Sequence, residues 1–268
     1  MYPLGFPGGV GDCGNNNPIL FEQLHIGVAL LLPGDGFVTL VEQDACIRKL
    51  FLKFLGEVYH GKAFWFRRTG IPKLGTWFGN KAIAGGGCLL DIGVHLLDLC
   101  LYLMDNFEPV SVTGATYTKF GNRGLGEGGW GKSDREDITF DVDDFASALI
   151  KFSNGATVTL DVSWACYTEE ANRMDVHLYG TEGGAGAYPA KLFRRDPLCK
   201  DIQVVTDLRP QTEVSTNRFH NFINAINGDE KPLVTLEQAL TVQRILDGIY
   251  ESCRTGREVR FDTATVTA

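Results

Sequence analysis

Residues 89–104 are apolar around most of a helical circumference and leave one narrow polar stripe. At about 100° per residue, Leu90, Val94, Leu97, Leu101 and Met104 form one apolar row, and Ile92, Leu96, Leu99 and Leu103 form a second. Asp91, His95, Asp98 and Tyr102 fall together between them. A helix this apolar is buried. Ionisable groups on it must be paired, hydrogen-bonded or facing a cavity, because an isolated buried charge is costly or changes its protonation. The stripe therefore reads as a cavity wall, with Asp98 assigned to capping or to bonding a neighbouring strand.

The spacing of Ala45, Ile47, Leu50, Phe51, Phe54 and Leu55 predicts a helix over 43–55 closed by Gly56, followed by a strand over 57–68. Residues 110–120 read as a strand, and the Gly-rich stretch 121–133 reads as a mobile segment or lid. Residues 145–152 and 156–165 alternate apolar and polar positions around Ser153-Asn154-Gly155, a strong hairpin signal. Residues 173–179 and 187–194 extend that sheet, with 180–184 as the turn between them. Phe219, Phe222, Ile223 and Ile226 mark one closing helix. Leu236, Leu240, Val242, Ile245, Leu246 and Ile249 mark another, with Thr235 and Gln238 in capping-box positions. This order predicts an α+β fold, a largely antiparallel open β-sheet with helices on one face, rather than alternating βαβ units.

Composition narrows the function classes. The chain carries a formal net charge of -8, and its basic runs do not exceed the pairs Arg67-Arg68 and Arg194-Arg195, which argues against a nucleic-acid partner. Seven scattered cysteines without a C-x-x-C pair argue against a disulfide framework or a zinc site and fit a reducing cytoplasm. Leu24 to Leu32 is too short to cross a bilayer and follows no basic residue, so neither a membrane span nor an export signal is expected. Asp137, Asp141, Asp143 and Asp144 lack the glycine and terminal glutamate of a calcium loop and read as a solvated strand entry, so no metal is expected. Residues 1–40 are rich in Gly, Pro and Asn, show no period and contain no Lys or Arg; they read as an atypical segment before a domain over 41–268.

Gly85-Gly86-Gly87 followed by Asp91, Gly93, His95 and Asp98 resembles the signature of the C-terminal domain of the Gfo/Idh/MocA oxidoreductases. Leu55-Gly56-Glu57-Val58, Asp143-Asp144-Phe145-Ala146, Ser163-Trp164, Tyr179-Gly180-Thr181-Glu182-Gly183 and the closing Glu251 to Arg257 resemble the same family in the same order, over roughly 41–262. The family begins with a Rossmann domain that binds NAD or NADP, and no such unit is legible here. Gly8-Gly9-Val10-Gly11 neither follows a predicted strand nor opens a helix. Glu230-Lys231-Pro232 spells the family's lysine tripeptide but lies between the closing helices, so the catalytic role is not carried to Lys231.

The resemblance implies a dehydrogenase of a sugar or cyclitol represented by its catalytic and dimerisation half. His95 would be the acid/base and Asp91, one turn earlier, would hold substrate or tune the imidazole. Gly86 and Gly87 would let backbone approach the ligand closely. Arg67, Trp77 and Lys81 are candidate substrate contacts, with a surface charge or core aromatic as equal readings. Trp164 reads as sheet packing, and Glu127 and Trp130 as residues that reach the site from the Gly-rich loop. The cofactor-binding residues are unknown, and NAD or NADP binding by this chain alone is doubtful. The open sheet face implies a homodimer or higher homo-oligomer. The competing readings are a non-catalytic sugar-binding or oligomerisation module and an inactive relic.

Overall fold

The computed structural model describes residues 48, 51–129, 133, 139–195, 202–207 and 218–261; residues 1–40, Trp130 and Asp137 lie outside them. One nine-stranded sheet organises these residues. Its strands are β1 (Val58–Arg67), β2 (Pro109–Tyr117), β3 (Phe145–Phe152), β4 (Thr157–Ser163), β5 (Asn172–Gly180), β6 (Gly183–Ala187), β7 (Ala190–Arg195), β8 (Ile202–Asp207) and β9 (Val259–Arg260), in the spatial order β8-β7-β6-β5-β1-β4-β3-β2-β9. All neighbours are antiparallel except β1 and β4, which run parallel with His60 opposite Thr157 and Phe66 opposite Ser163. Residues 51–54 are helical, and the helices that follow β1 are α1 (Lys81–Ala84), α2 (Val94–Met104), α3 (Arg218–Asn227) and α4 (Leu236–Thr255).

Alternation decides which side of the sheet the helices cover. Ala146, Ala148, Ile150 and Phe152 of β3 and Val158, Leu160 and Val162 of β4 are buried on one side, where α2 packs on β1 and β5 and α4 packs on β2. The hairpin closes where expected, with Gly155 at φ 86°, a conformation that costs glycine little. Helix α4 begins with the capping box of Thr235 and Gln238. The stretch Lys81–Met104 is long and apolar enough to cross a bilayer, yet 72% of its most apolar window is buried inside the domain, as befits a core helix.

The other side of the sheet has no helix among the described residues. It carries a run of rings: Tyr117 edge-on to Phe145 at 5.9 Å, Phe145 stacked near Phe66 at 5.9 Å, Phe66 near Phe64 at 5.9 Å, then Phe64 to His177 at 6.0 Å and His177 to Tyr179 at 6.5 Å. Polar pairs interleave with them, including Ser147 Oγ donating to Asp161 at 2.6 Å and a contact of 2.9 Å between His177 and Asp175.

Three expectations needed correction. Residues 180–184 are not wholly a turn, because β6 (Gly-Gly-Ala-Gly-Ala) starts at Gly183 and pairs with both β5 and β7. The described part of the Gly-rich loop is not a free lid. Gly70 and Ile71 both donate to the Gly126 carbonyl at 2.9 Å, and Gly128 donates to the Ile71 carbonyl at 2.9 Å. Finally, Asp143 and Asp144 are 5% and 0% exposed rather than solvated.

Candidate active site

The two buried aspartates build the entrance to the site helix. Asp144 accepts from the backbone N–H groups of Lys119, Phe120 and Gly121 at 2.6–3.0 Å and so fixes the start of the Gly-rich loop. Asp143 accepts from Gly87 N at 2.8 Å, Leu89 N at 2.9 Å, the Cys88 thiol at 3.3 Å and the Tyr250 hydroxyl at 2.7 Å. It thereby ties the glycine loop, the site helix and α4 to β3. Burial and the Asp143 charge push both the Cys88 thiol and the Tyr250 phenol upward, so both stay protonated donors.

This clamp explains the glycines differently from the ligand-approach reading. A Cβ on Gly87 would stand 1.9 Å from the Asp143 carbonyl oxygen, and one on Gly86 would stand 2.1 Å from the Tyr250 hydroxyl. The close approach that requires glycine is to the protein itself.

Leu89–Gly93 then makes a wide π turn before α2, with the Val94 N–H reaching back to the Leu89 carbonyl. Such turns add a residue to the helical repeat and recur at functional sites. Asp91 lies in this turn and His95 in the first turn of α2. Trp164, 1% exposed at the end of β4, donates its indole N–H to Asp91 Oδ2 at 2.7 Å. This function of Trp164 was not read from the sequence. Arg67, at the end of β1, lies with its guanidinium carbon 4.3 Å from the centre of the Trp65 ring. Burial lowers its affinity for the proton, and the charges of Asp91 and Cys88 oppose that.

His95 sits between these charges. Burial holds its imidazole below the ordinary histidine range; Asp91 pulls the other way and Arg67 adds to the lowering. The ring is neutral at pH 7, and its Nδ1 is buried without a hydrogen-bond partner. Arg67, Asp91, His95 and Trp164 thus form one cluster capable of taking a proton from a bound hydroxyl group.

Lys81 and Trp77 are not part of that cluster. Lys81 lies in a cleft of about 420 Å³ with Thr116, Asp247, Tyr250, Glu251, Cys253 and Arg254, its ammonium 5.9 Å from the Tyr250 ring centre. Trp77 stacks on Phe78 at 3.8 Å and is 46% exposed. Glu127 accepts from Leu74 N at 3.1 Å, while Trp130 lies outside the described residues. No group of three metal-ligating side chains occurs among the described residues.

A family model described as the GFO/IDH/MocA C-terminal domain matches residues 52–185, half of the chain and the whole of the cluster. The chain belongs to the Gfo/Idh/MocA family. This Gfo/Idh/MocA chain is 31% identical over 214 residues to D-glucoside 3-dehydrogenase of Escherichia coli, covering 77% of its own length and 58% of that protein. It is 30% identical over 144 residues to levoglucosan dehydrogenase of Pseudarthrobacter phenanthrenivorans, covering 49% of itself and 36% of the relative. Among solved structures, an NAD-binding protein from Listeria innocua superimposes with a TM-score of 0.61 at 25% identity, over 82% of this chain and 60% of that one. The Gfo/Idh/MocA chain therefore spans little more than half the length of the first of these relatives.

Asp98 differs from its expected role. It is 5% exposed, and among the described residues no hydrogen bond or ion pair reaches its carboxyl, so it neither caps nor bonds a strand. Burial raises it from 3.8 to about 7. The folded chain keeps this proton up to about pH 7, whereas the unfolded chain loses it near 3.8. Between these limits the folded state binds more protons, and stability falls as pH rises. Asp98→Asn is expected to stabilise the chain at pH 8 by about 4 kcal/mol relative to its effect at pH 3. Thermal melts of both proteins at the two pH values would show this, and an equal offset at both would refute it.

Proposed function

We propose that this chain carries the substrate-binding and acid/base half of a nicotinamide-dependent oxidoreductase acting on a hydroxyl-bearing carbon of a sugar or cyclitol. The observation that carries the proposal is the buried His95, its Nδ1 without a hydrogen-bond partner, beside Asp91 and Arg67. The names of the two dehydrogenase relatives support the substrate class, and the solved NAD-binding relative supports the cofactor class.

In the oxidative direction His95 accepts the proton of the substrate hydroxyl as hydride leaves the same carbon. Asp91, with one oxygen engaged by Trp164, offers its other oxygen to a neighbouring hydroxyl. The Arg67 charge discourages protonation of the resting imidazole and favours the alkoxide character that develops on the substrate. A nicotinamide ring, when bound, supplies the hydride acceptor. The described residues contain no strand, glycine loop and helix that would hold its pyrophosphate, so they do not themselves make the dinucleotide site. That same observation favours, as a second reading, a sugar-binding module that does not turn over.

The test is a spectrophotometric assay of NAD and NADP reduction with methyl glucosides, levoglucosan, D-xylose and myo-inositol. The chain is assayed alone and mixed with the dinucleotide-binding domain of a relative. Sugar-dependent reduction supports the oxidoreductase. Saturable sugar binding by calorimetry without reduction in either arrangement assigns the binding module, and neither signal rejects both.

We further propose that the chain forms a homodimer through the open sheet face, where the rings from Tyr117 to Tyr179 supply the apolar centre of a contact. Phe66→Glu is expected to weaken self-association at least about 100-fold, since a central aromatic is replaced by a charge. Sedimentation equilibrium that shows the same association for both proteins would exclude this face. Cys88, Cys100, Cys166 and Cys253 are unpaired thiols, which supports placing the protein in the reducing cytoplasm.

A further inference from the structure

Asp91 and His95 stand four positions apart, a spacing at which a carboxylate and an imidazole usually pair across one helical turn. They do not pair here. The wide turn at Leu89–Gly93 changes the rotation of Asp91 relative to α2, and its Oδ2 accepts from Trp164 Nε1 at 2.7 Å.

Trp164 is itself held rigidly. Its backbone N–H donates to the Asp144 carbonyl at 2.9 Å, and the Ser163 hydroxyl donates to the same carbonyl at 3.0 Å. Asp144 in turn is fixed by the three backbone donors of residues 119–121. Meanwhile His95 Nδ1 is buried and has no partner.

We propose that Trp164 is a positioning residue that draws the Asp91 carboxylate away from His95 and so leaves the imidazole unpaired as a base. The proposal rests on the acid/base role given to His95 above. An Asp–His hydrogen bond would favour the imidazolium, which cannot accept a proton from substrate. The charged groups bearing on His95 are Asp91 on its own helix and Arg67 from β1; Asp98 follows one turn later on α2. Of these, Asp91 alone favours the protonated ring, and the indole takes up one of its two oxygens.

The test is an NMR titration of His95 in the full chain. In Trp164→Phe the indole N–H is gone, Asp91 is free to swing onto Nδ1, and the His95 midpoint is expected to rise by about one unit. The rise should vanish in the double variant Trp164→Phe with Asp91→Asn. An unchanged midpoint, or a rise that persists in the double variant, overturns the proposal.

Because Trp164 is buried, the native indole provides a second readout that leaves it in place. Its N–H resonance should shift, and its hydrogen exchange should quicken, when Asp91→Asn weakens the acceptor; an unmoved resonance and rate overturn the contact. The acid/base reading has its own check in the turnover of His95→Ala. A confirmed Trp164–Asp91 contact together with normal His95→Ala turnover would retain the contact and reject the base, so the two failures are distinguishable.

Discussion

In the chain mixed with the dinucleotide-binding domain of a relative, replacing His95 with alanine is expected to lower sugar-dependent nicotinamide reduction roughly 10²–10⁴-fold, with the larger part of the loss in kcat. The argument starts from the state of the ring. Burial and Arg67 keep the imidazole below its ordinary value of 6.5, and Asp91 only partly restores it. A base of this kind is already deprotonated at neutral pH, so the rate of oxidation should fall on an acid limb centred below 6.5. Arg67→Met removes a charge that opposes protonation and should move that limb upward. Asp91→Asn removes the charge that favours protonation and should move it downward. A pH profile of kcat/KM that is the same for the native chain and both variants would mean that the limb reports some other group. Full turnover by His95→Ala would remove His95 from the chemistry altogether.

Asp143→Ala is expected to be the most damaging single change to the fold near the site, costing about 3–5 kcal/mol. The carboxylate holds four donors from two parts of the chain: the Gly87 and Leu89 backbone and the Cys88 thiol from one, and the Tyr250 hydroxyl from the other. Truncation leaves these buried donors facing a cavity, where each unsatisfied group costs about 1–3 kcal/mol. Tyr250→Phe removes one donor and keeps the ring, so its cost should be closer to about 1 kcal/mol. In urea unfolding the two variants should therefore separate clearly. Asp143→Ala within about 1 kcal/mol of the native chain would show that the carboxylate is dispensable and that the loop is held by packing alone.

Local chemistry was legible in the sequence where one segment carries the whole signal. Asn154-Gly155 marked the hairpin, Thr235 and Gln238 marked the start of α4, and the polar stripe on an apolar helix marked Asp91 and His95. What escaped depends on partners distant in the chain. β6 has three glycines in five residues and no alternation, so pairing on both edges, rather than propensity, makes it a strand. The aspartates before β3 looked solvated because the backbone donors that bury them come from residues 87–89 and 119–121. Trp164 looked like core packing, and its ring is indeed buried; only the fold brings its N–H to Asp91, 73 positions earlier. The π turn was likewise invisible to a reading that assumes a uniform helical repeat. The resemblance to the Gfo/Idh/MocA family pointed to Asp91 and His95, which the fold places beside Arg67 and Trp164, but it did not say why Gly86 and Gly87 are glycines.

The central position of β1 sets a timetable for the chain's birth. β1 is synthesised first of the nine strands, yet its neighbours β4 and β5 follow β2 and β3 in sequence, and the Trp65 indole bonds Asn172, 107 positions later. At roughly 5–20 residues per second, β1 waits about 5–20 s on the ribosome with Phe64, Trp65 and Phe66 unpaired. The meander of β2, β3 and β4 can assemble in that interval from near neighbours, whereas the parallel pairing cannot. Nascent chains of this protein should accordingly be strong clients for chaperones at the ribosome exit, and translation that slows before β5 should raise their aggregation.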